Sequence, residues 1–567
     1  MHLAVVLALP YFVTVDAASH LGGAVAFWDA VLRGDSIVGR YVFIQLLPAT
    51  NLIPDLPAGL LAMAIGPQLA EKLLIGGLVV GLPVATAYAV RGVAPGRWWL
   101  AFLVIPLSFT FTLHYGFYPF CYGVLGLVLV MGYVVRHNAR WTRRSTLVLT
   151  VLLTVTYAAH VLPFGIALLF IGLSATFAWL TAKPRSVKAV AAGWAPTCLA
   201  ALPGIVLSCY VVVVGMLDRR TDLVLDGRGA VGATYPPLEQ LKYYRSLLWD
   251  VLNLSLGTVT FDEREGRLTL AFALVLFAML LLGLRRRVRS RALRFEDAFL
   301  LFGVVVVAAI VLLPRNANFG AGGSHFSQRL APLPVLGLLL WLAAVDLGET
   351  PGPVARRMPW LLAVVSIAAS AGLLGLRLPY YIANSQRAEA YVSVAPCLAT
   401  EATMIQVNLG RVHAGRTDPF LAETGRLVSL RGGWDIGNIG AALPFFPLRN
   451  RPETDPYRYL VIPGGGVERT PPTIDPAGYA ARTPGTLDYV LVYGRPVALS
   501  DTIESASWHS LSAQLDADYA LVATSPDSML EVYESRDDPL ASAGAAARAR
   551  AGDACPPAAP GQGSGGP

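Results

Sequence analysis

Charge is scarce in this chain: Asp, Glu, Lys and Arg make up 14% of its 567 residues. A soluble globular protein carries about 25%. Hydrophobic residues fill 55% of the sequence, in blocks of roughly 17–25 residues, long enough to cross ~30 Å of hydrocarbon. A single soluble domain is thereby excluded. The charge deficit ends near residue 380, where an ordinary soluble composition begins. Cysteine is rare too, with five in all. No Cys-x-x-Cys pair and no Cys/His zinc spacing occurs, which argues against a zinc module. Cys121, Cys198 and Cys209 fall in apolar blocks and read as core residues. Cys397 and Cys555 fall in the polar part, where a disulfide and two free thiols both stay open. The net charge of +7 does not point to nucleic acid, because the arginines sit in short loops between apolar blocks.

Those loops set the topology. The apolar blocks give about eleven candidate spans: 1–15, 67–91, 97–113, 117–135, 145–159, 161–181, 189–214, 267–284, 296–314, 331–346 and 359–377. The first lacks a basic leading segment and a small-residue cleavage site, so it reads as a span and not as a cleaved signal peptide. Arg91 with Arg97, Arg136 to Arg144, Lys183 to Lys188, Arg285 to Arg294, and Arg356 with Arg357 mark five basic loops. The excess of positive charge on cytoplasmic loops places all five inside. The alternating loops 16–66, 215–266 and 315–330 are longer, mixed in charge and aromatic, and fall outside. A cytoplasmic N-terminus and an odd number of crossings then put the C-terminal part outside as well. A re-entrant pair near 97–118 would change the count without moving that end.

The expected architecture is a polytopic α-helical membrane region over 1–377, with a first outer loop at 16–66. An extracytoplasmic α/β domain follows over 378–537. Strand-like apolar runs occur at Tyr459–Pro463, Asp488–Tyr493, Tyr519–Ala523 and Met529–Tyr533, with a helix around Ser507–Leu515. Near-continuous apolar strands are those buried on both faces. Gly464-Gly465-Gly466 follows a strand run but opens no helix, and reads as a turn. Residues 538–567 are mostly Ala, Gly, Pro and Arg, a composition expected to stay disordered.

Ionisable groups at membrane depth are costly, so each is a candidate for function. In this topology Asp16, His20, His114, His160, Arg315, His325 and Arg329 all fall at one outer surface. Asp16 and His20 are four apart and share a helix face, with Leu21, Val25 and Trp28 forming an apolar stripe along the interface. That places a carboxylate and an imidazole at the water boundary. The plainer reading makes Asp16 an N-cap, Arg329 an interfacial anchor, and His114 and His160 helix-end residues. His325 would then ride on the loop of Gly320, Gly322 and Gly323 without a role, and Asp262, Glu263 and Glu265 would be a solvated charge run.

The order of short motifs adds to this. Asp16-x-x-x-His20-Leu21 follows the first span, and Pro48-Ala-Thr-Asn51-Leu-Ile-Pro54 precedes a second amphipathic stretch. His114-Tyr-Gly-Phe117-Tyr-Pro-Phe120, His160-Val-Leu-Pro163-Phe164 and Gln328-Arg329-Leu-Ala-Pro332 come after. This series resembles the C-type (GT-C) superfamily of polytopic membrane glycosyltransferases. The resemblance implies transfer of a sugar from a polyprenyl-phosphate donor to an acceptor hydroxyl on the outer face, with inversion. It makes Asp16 the base and Arg329 the partner of the phosphate, with His20 and His325 assisting. Asn51, His114 and His160 would line the substrate site. Many members carry Asp-x-Asp or Glu-x-Asp here, whereas Asp16 is followed by Ala17 and Ala18. A divalent cation such as Mg or Mn therefore has no ligand set assigned. The expected partners are the lipid-linked donor, an acceptor of unknown class and the membrane lipids. A non-catalytic scaffold of the same fold, and a transporter or flippase, are the competing readings.

Overall fold

The computed structural model describes all residues except 48, 139–140, 183–186, 218–236, 289–291, 314–324, 346–352, 410–414, 444–445, 461–473, 495–501, 537–540, 553–554 and 557–567. Arg315, Lys183, Arg185 and the glycine turn 464–466 therefore lie outside the described residues, as does most of the strand expected at 459–463.

Among the described residues, seven helices are long and apolar enough to cross a membrane: Pro67–Val93, Tyr118–His137, Val161–Thr181, Gly193–Val214, Glu263–Val288, Phe326–Ala344 and Arg357–Cys397. The protein is a helical membrane protein. Asp55–Ile65 and Asp297–Leu312 are shorter apolar helices, and Arg143–Ala159 runs for 17 residues. Two expected spans take other forms. Residues 1–15 contain only the helix His2–Ala8, because the backbone turns extended at Leu9 before Pro10, which cannot continue it. The stretch from 97 belongs to a 3₁₀ coil, Pro95–Ser108, with Pro106 inside it. Such a coil rises about 2 Å per residue, more steeply than an α-helix. Cys198 and Cys209 are exposed on the outward side of Val187–Leu217 and are not core residues.

A five-stranded sheet forms in the C-terminal part, in the order β3-β2-β5-β7-β6. Its strands are β2 (Thr403–Asn408), β3 (Trp434–Asp435), β5 (Tyr489–Tyr493), β6 (Tyr519–Thr524) and β7 (Leu530–Ser535). β2 pairs in parallel with β3 and β5, and β7 runs antiparallel between β5 and β6. Every residue of β2 and β5 is buried, which explains their unbroken apolar or mixed runs. A separate two-stranded ribbon joins β1 (Val42–Ile44), from the first loop, to β4 (Leu448–Asn450). Residues 538–567 are not uniformly disordered. Ala541–Ala551 is a helix, Arg548 pairs with Glu534 at 2.8 Å, and Cys555 is disulfide-bonded to Cys397. Those contacts supply the burial that the bare composition lacks.

The C-terminal domain sits directly on the first-loop helix Ala17–Leu32. A Cβ on Gly425 would lie 1.9 Å from the Ala18 carbonyl oxygen, and one on Gly22 would lie 2.7 Å from the Gly425 backbone. Glycine at both positions therefore lets two backbones touch. The residue after Gly425, Arg426, is buried between two carboxylates. It donates to Glu71 of Pro67–Val93 and to Glu423, each at 2.5 Å, and all three side chains are at most 3% exposed. The Tyr11 ring lies 5.1 Å from the guanidinium.

Removing one partner of a buried charge pair leaves the others desolvated and unpaired, and costs about 3–5 kcal/mol. Arg426→Met is therefore expected to destabilise the protein by that order. Thermal unfolding in detergent, followed by tryptophan fluorescence, is the measurement. An unchanged transition would remove the triad as the fastening between domain and membrane region.

Candidate functional site

The first loop opens at Asp16, and its backbone is pinned there by the turn after His114. The Val15 N–H donates to the His114 carbonyl at 3.2 Å and the Asp16 N–H to that of Tyr115 at 3.0 Å. Gly116 follows with φ +86, and a Cβ there would lie 2.6 Å from the Asp16 nitrogen. The tight turn after His114 thus exists to receive Asp16. The carboxylate stands at the N-cap position of Ala17–Leu32 but makes no capping hydrogen bond. The N-cap reading accounts for its place in the chain and not for its side chain.

One helical turn on, His20 meets a carboxylate, and it is Asp55. The two are 2.9 Å apart through Nδ1, and their side chains are 13% and 9% exposed. Asp55 opens Asp55–Ile65, which lies against Ala17–Leu32 at Gly59, where a Cβ would meet the Ala24 carbonyl at 2.4 Å. Trp28 Nε1 donates to the Leu56 carbonyl at 2.8 Å and ties the same pair of helices. Burial disfavours the His20 imidazolium, and so does the Arg329 charge. The charge and hydrogen bond of Asp55, with help from Asp16, outweigh both and raise its pKa above 6.5. Asn51 precedes this helix at φ +58 and is 4% exposed. Its Oδ1 has no hydrogen-bond partner among the described residues. The Leu52 and Ile53 N–H groups donate to the Ala158 carbonyl at 2.8 and 3.3 Å, which ties the segment after Asn51 to the turn that leads into His160.

His160 caps Val161–Thr181, its Nδ1 accepting the Leu162 N–H at 3.1 Å. Its Nε2 lies 3.0 Å from Arg329 Nη1. Burial, then Arg329 and His20, hold this imidazole neutral, its pKa well below 6.5. A neutral imidazole has one acceptor nitrogen and one N–H. Leu162 N–H and Arg329 both donate only. One of the two contacts must therefore set donor against donor. The cap contact is held by its own helix, so the strain falls on Arg329 and His160. An anionic oxygen accepting from both would relieve it. Arg329 is held over Phe117, its Cζ 3.8 Å from the ring centroid, with Phe120 at 5.5 Å.

Asp16, His20, Asn51, His160 and Arg329 are thus brought together, through Gly116, Phe117, Asp55 and the turn at Ala158. His325 stands at the edge of the group, at φ +58, its ring 4.7 Å from Tyr115 and 5.4 Å from Phe111. His114 does not join them. It is 2% exposed, with Nδ1 2.8 Å from the Thr110 carbonyl and Nε2 2.7 Å from the Tyr381 hydroxyl. Both its nitrogens are used in holding the fold. Glu265 is likewise no solvated charge: it is wholly buried and ion-paired to Arg377 at 2.6 Å. The sequence reading gave Asp55 no place in the site, although an acid opening an apolar helix after Pro54 was a signal. Phe446, whose ring lies 6.0 Å from His20, left none, since it reaches the site from the C-terminal domain.

No protein-family model matches this chain, and neither does any curated protein. The reading of the site rests on its geometry. Among the described residues, no group of three or more His, Cys, Asp or Glu is arranged to hold a metal ion, and Asp55 is engaged with His20.

Because the folded pKa of His20 is raised, its pairing with Asp55 stabilises the fold most below the unfolded value. That contribution fades as the pH climbs through the raised one. The melting-temperature gap between wild type and Asp55→Asn should therefore be widest just below pH 6.5 and narrow at alkaline pH. A gap independent of pH would show that Asp55 does not set the His20 charge.

Proposed function

We propose that this protein is a membrane glycosyltransferase of the GT-C type. It would move a sugar from a polyprenyl-phosphate donor to an acceptor hydroxyl at the outer membrane surface, with inversion. The observation that carries this reading is the pair of donors Arg329 and His160, set 3.0 Å apart, next to a His20 that feels the charges of both Asp16 and Arg329. Leaving-group phosphate develops negative charge as the glycosidic bond breaks, and preorganised donors stabilise it. Arginine binds phosphate oxygens through a planar fork, and Phe117 holds that plane in place. Asp16 takes the proton of the attacking hydroxyl as general base. His20, whose charged form Asp55 favours, adds positive charge when protonated, and Asn51 offers its unsatisfied oxygen to a sugar hydroxyl.

The topology belongs to the same proposal. About eleven crossings are read from the apolar blocks, the first of them only partly helical, and the basic loops give a cytoplasmic N-terminus and an outer C-terminal domain. The Cys397–Cys555 disulfide agrees with an oxidising compartment. A lipid-linked substrate suits a site at the bilayer surface, because its tail need not leave the hydrocarbon.

Purified protein in lipid, given polyprenyl-phosphate donors carrying hexoses or pentoses, is expected to form a glycosidic product. Asp16→Asn should lower that rate by about 10²–10⁴-fold, the usual worth of a general base, with an unchanged melting curve. Product formation undiminished in Asp16→Asn would remove Asp16 as the base. Translocation of the donor without any bond formed would overturn the transferase reading itself.

A further inference from the structure

The outer segment 215–266 contains a helix, Pro237–Leu252, with an unusual distribution of side chains. It carries Glu239, Lys242, Arg245 and Asp250 within 16 residues, too much charge for a helix that spans. Leu247 and Val251 are 1% and 7% exposed and belong to the core of the membrane region. On the opposite face Leu238, Leu241, Leu248, Trp249 and Leu252 are 65%, 64%, 39%, 57% and 55% exposed. At 100° per residue these five fall within an arc of about 100°. Glu239, Lys242, Ser246 and Asp250 share a third sector on one flank. The helix therefore shows three surfaces: one packed on protein, one polar and one bare and apolar.

We propose that Pro237–Leu252 is an in-plane interfacial helix whose bare stripe is seated among the acyl chains of one bilayer leaflet. The stripe continues an existing lipid-facing surface. The helix packs against Asp297–Leu312, where Val304 and Leu312 are 56% and 67% exposed. The polar flank then lies towards water. Trp249 at the border and Arg245 inside the apolar arc are side chains suited to that depth, one with an amphipathic ring and the other with a stem long enough to reach the headgroups. Five large apolar side chains turned to water would instead form a patch that a soluble surface avoids.

The position of the helix gives this consequence. After Leu252 the chain passes through Leu254, at φ +61, into the turn Ser255–Gly257. That turn packs against both Phe326–Leu330, which carries Arg329, and Phe111–His114. The depth of the helix in the leaflet is thus coupled to the placement of Arg329. The inference stands whether or not the protein transfers sugar.

The test uses full-length protein in lipid nanodiscs, with Cys121, Cys198 and Cys209 replaced by serine and the disulfide kept. An environment-sensitive fluorophore is attached to one new cysteine at a time, at Leu241, Leu248 or Ser246. Only variants whose melting curve matches the parent are used. Lipid brominated in the upper acyl chain is expected to quench positions 241 and 248 several-fold more than 246. Aqueous iodide should show the reverse order. Equal iodide quenching at all three positions would overturn the proposal. Protection of 241 and 248 from both quenchers would overturn it too, since a second copy or another protein would then cover the stripe.

Discussion

Arg426 fastens the molecule together. Its guanidinium joins Glu71, near the start of a membrane helix, to Glu423, in the C-terminal domain, with all three side chains out of water. Buried charges are tolerated only when paired and hydrogen-bonded, so the triad allows little freedom of register. Burial pushes the Glu423 carboxyl up to about 7 even with Arg426 beside it. Everything near the triad inherits its position. Gly425 is pressed onto the Ala18 carbonyl, and the helix so held begins at Asp16 and carries His20 one turn later.

The candidate site is therefore built by three regions that are distant in the chain. The membrane region supplies Arg329, His160 and the aromatic bed of Phe117 and Phe120. The first loop supplies Asp16, His20, Asn51 and Asp55. The C-terminal domain adds Phe446 and, through Gly425, the seat of the first-loop helix. A second buried pair, Glu265 with Arg377, serves the same purpose on another side. Glu265 also accepts from the Val259 and Thr260 N–H groups, and that strip bridges to Gly415 of the domain.

What the sequence made legible was mostly periodic or compositional. Long apolar runs at 67–91 and 161–181 became helices because hydrocarbon leaves the backbone no other partner than itself. The strands at 489–493, 519–524 and 530–535 were readable from apolar runs between turn residues. The strand at Thr403–Asn408 was not, because Gln406 and Asn408 interrupt its pattern. Those side chains bond to Phe420 and Asp418 inside the fold, a solution local sequence cannot show. The gathering of Asp16, His20, His160 and Arg329 followed from sidedness alone. Partnership did not: i,i+4 spacing suggested Asp16 for His20, and Asp55 took that place from a neighbouring helix. His114 satisfied the same sidedness argument yet turned inward to Tyr381, since a position at the surface says nothing about which way a ring points.

The ribbon between β1 and β4 bears on biogenesis. Gly39 and Arg451 bond across 412 residues of sequence, so the first loop is synthesised long before its partner strand. Until the ribosome has finished the C-terminal domain, the nascent chain exposes an unpaired strand edge at Val42–Ile44 and a helix whose Gly22 face is uncovered. Maturation of the loop is then a late event, after every membrane helix has left the insertion machinery. A chain truncated anywhere before residue 448 would integrate its helices yet leave that edge open, a substrate for quality-control proteases at the membrane surface.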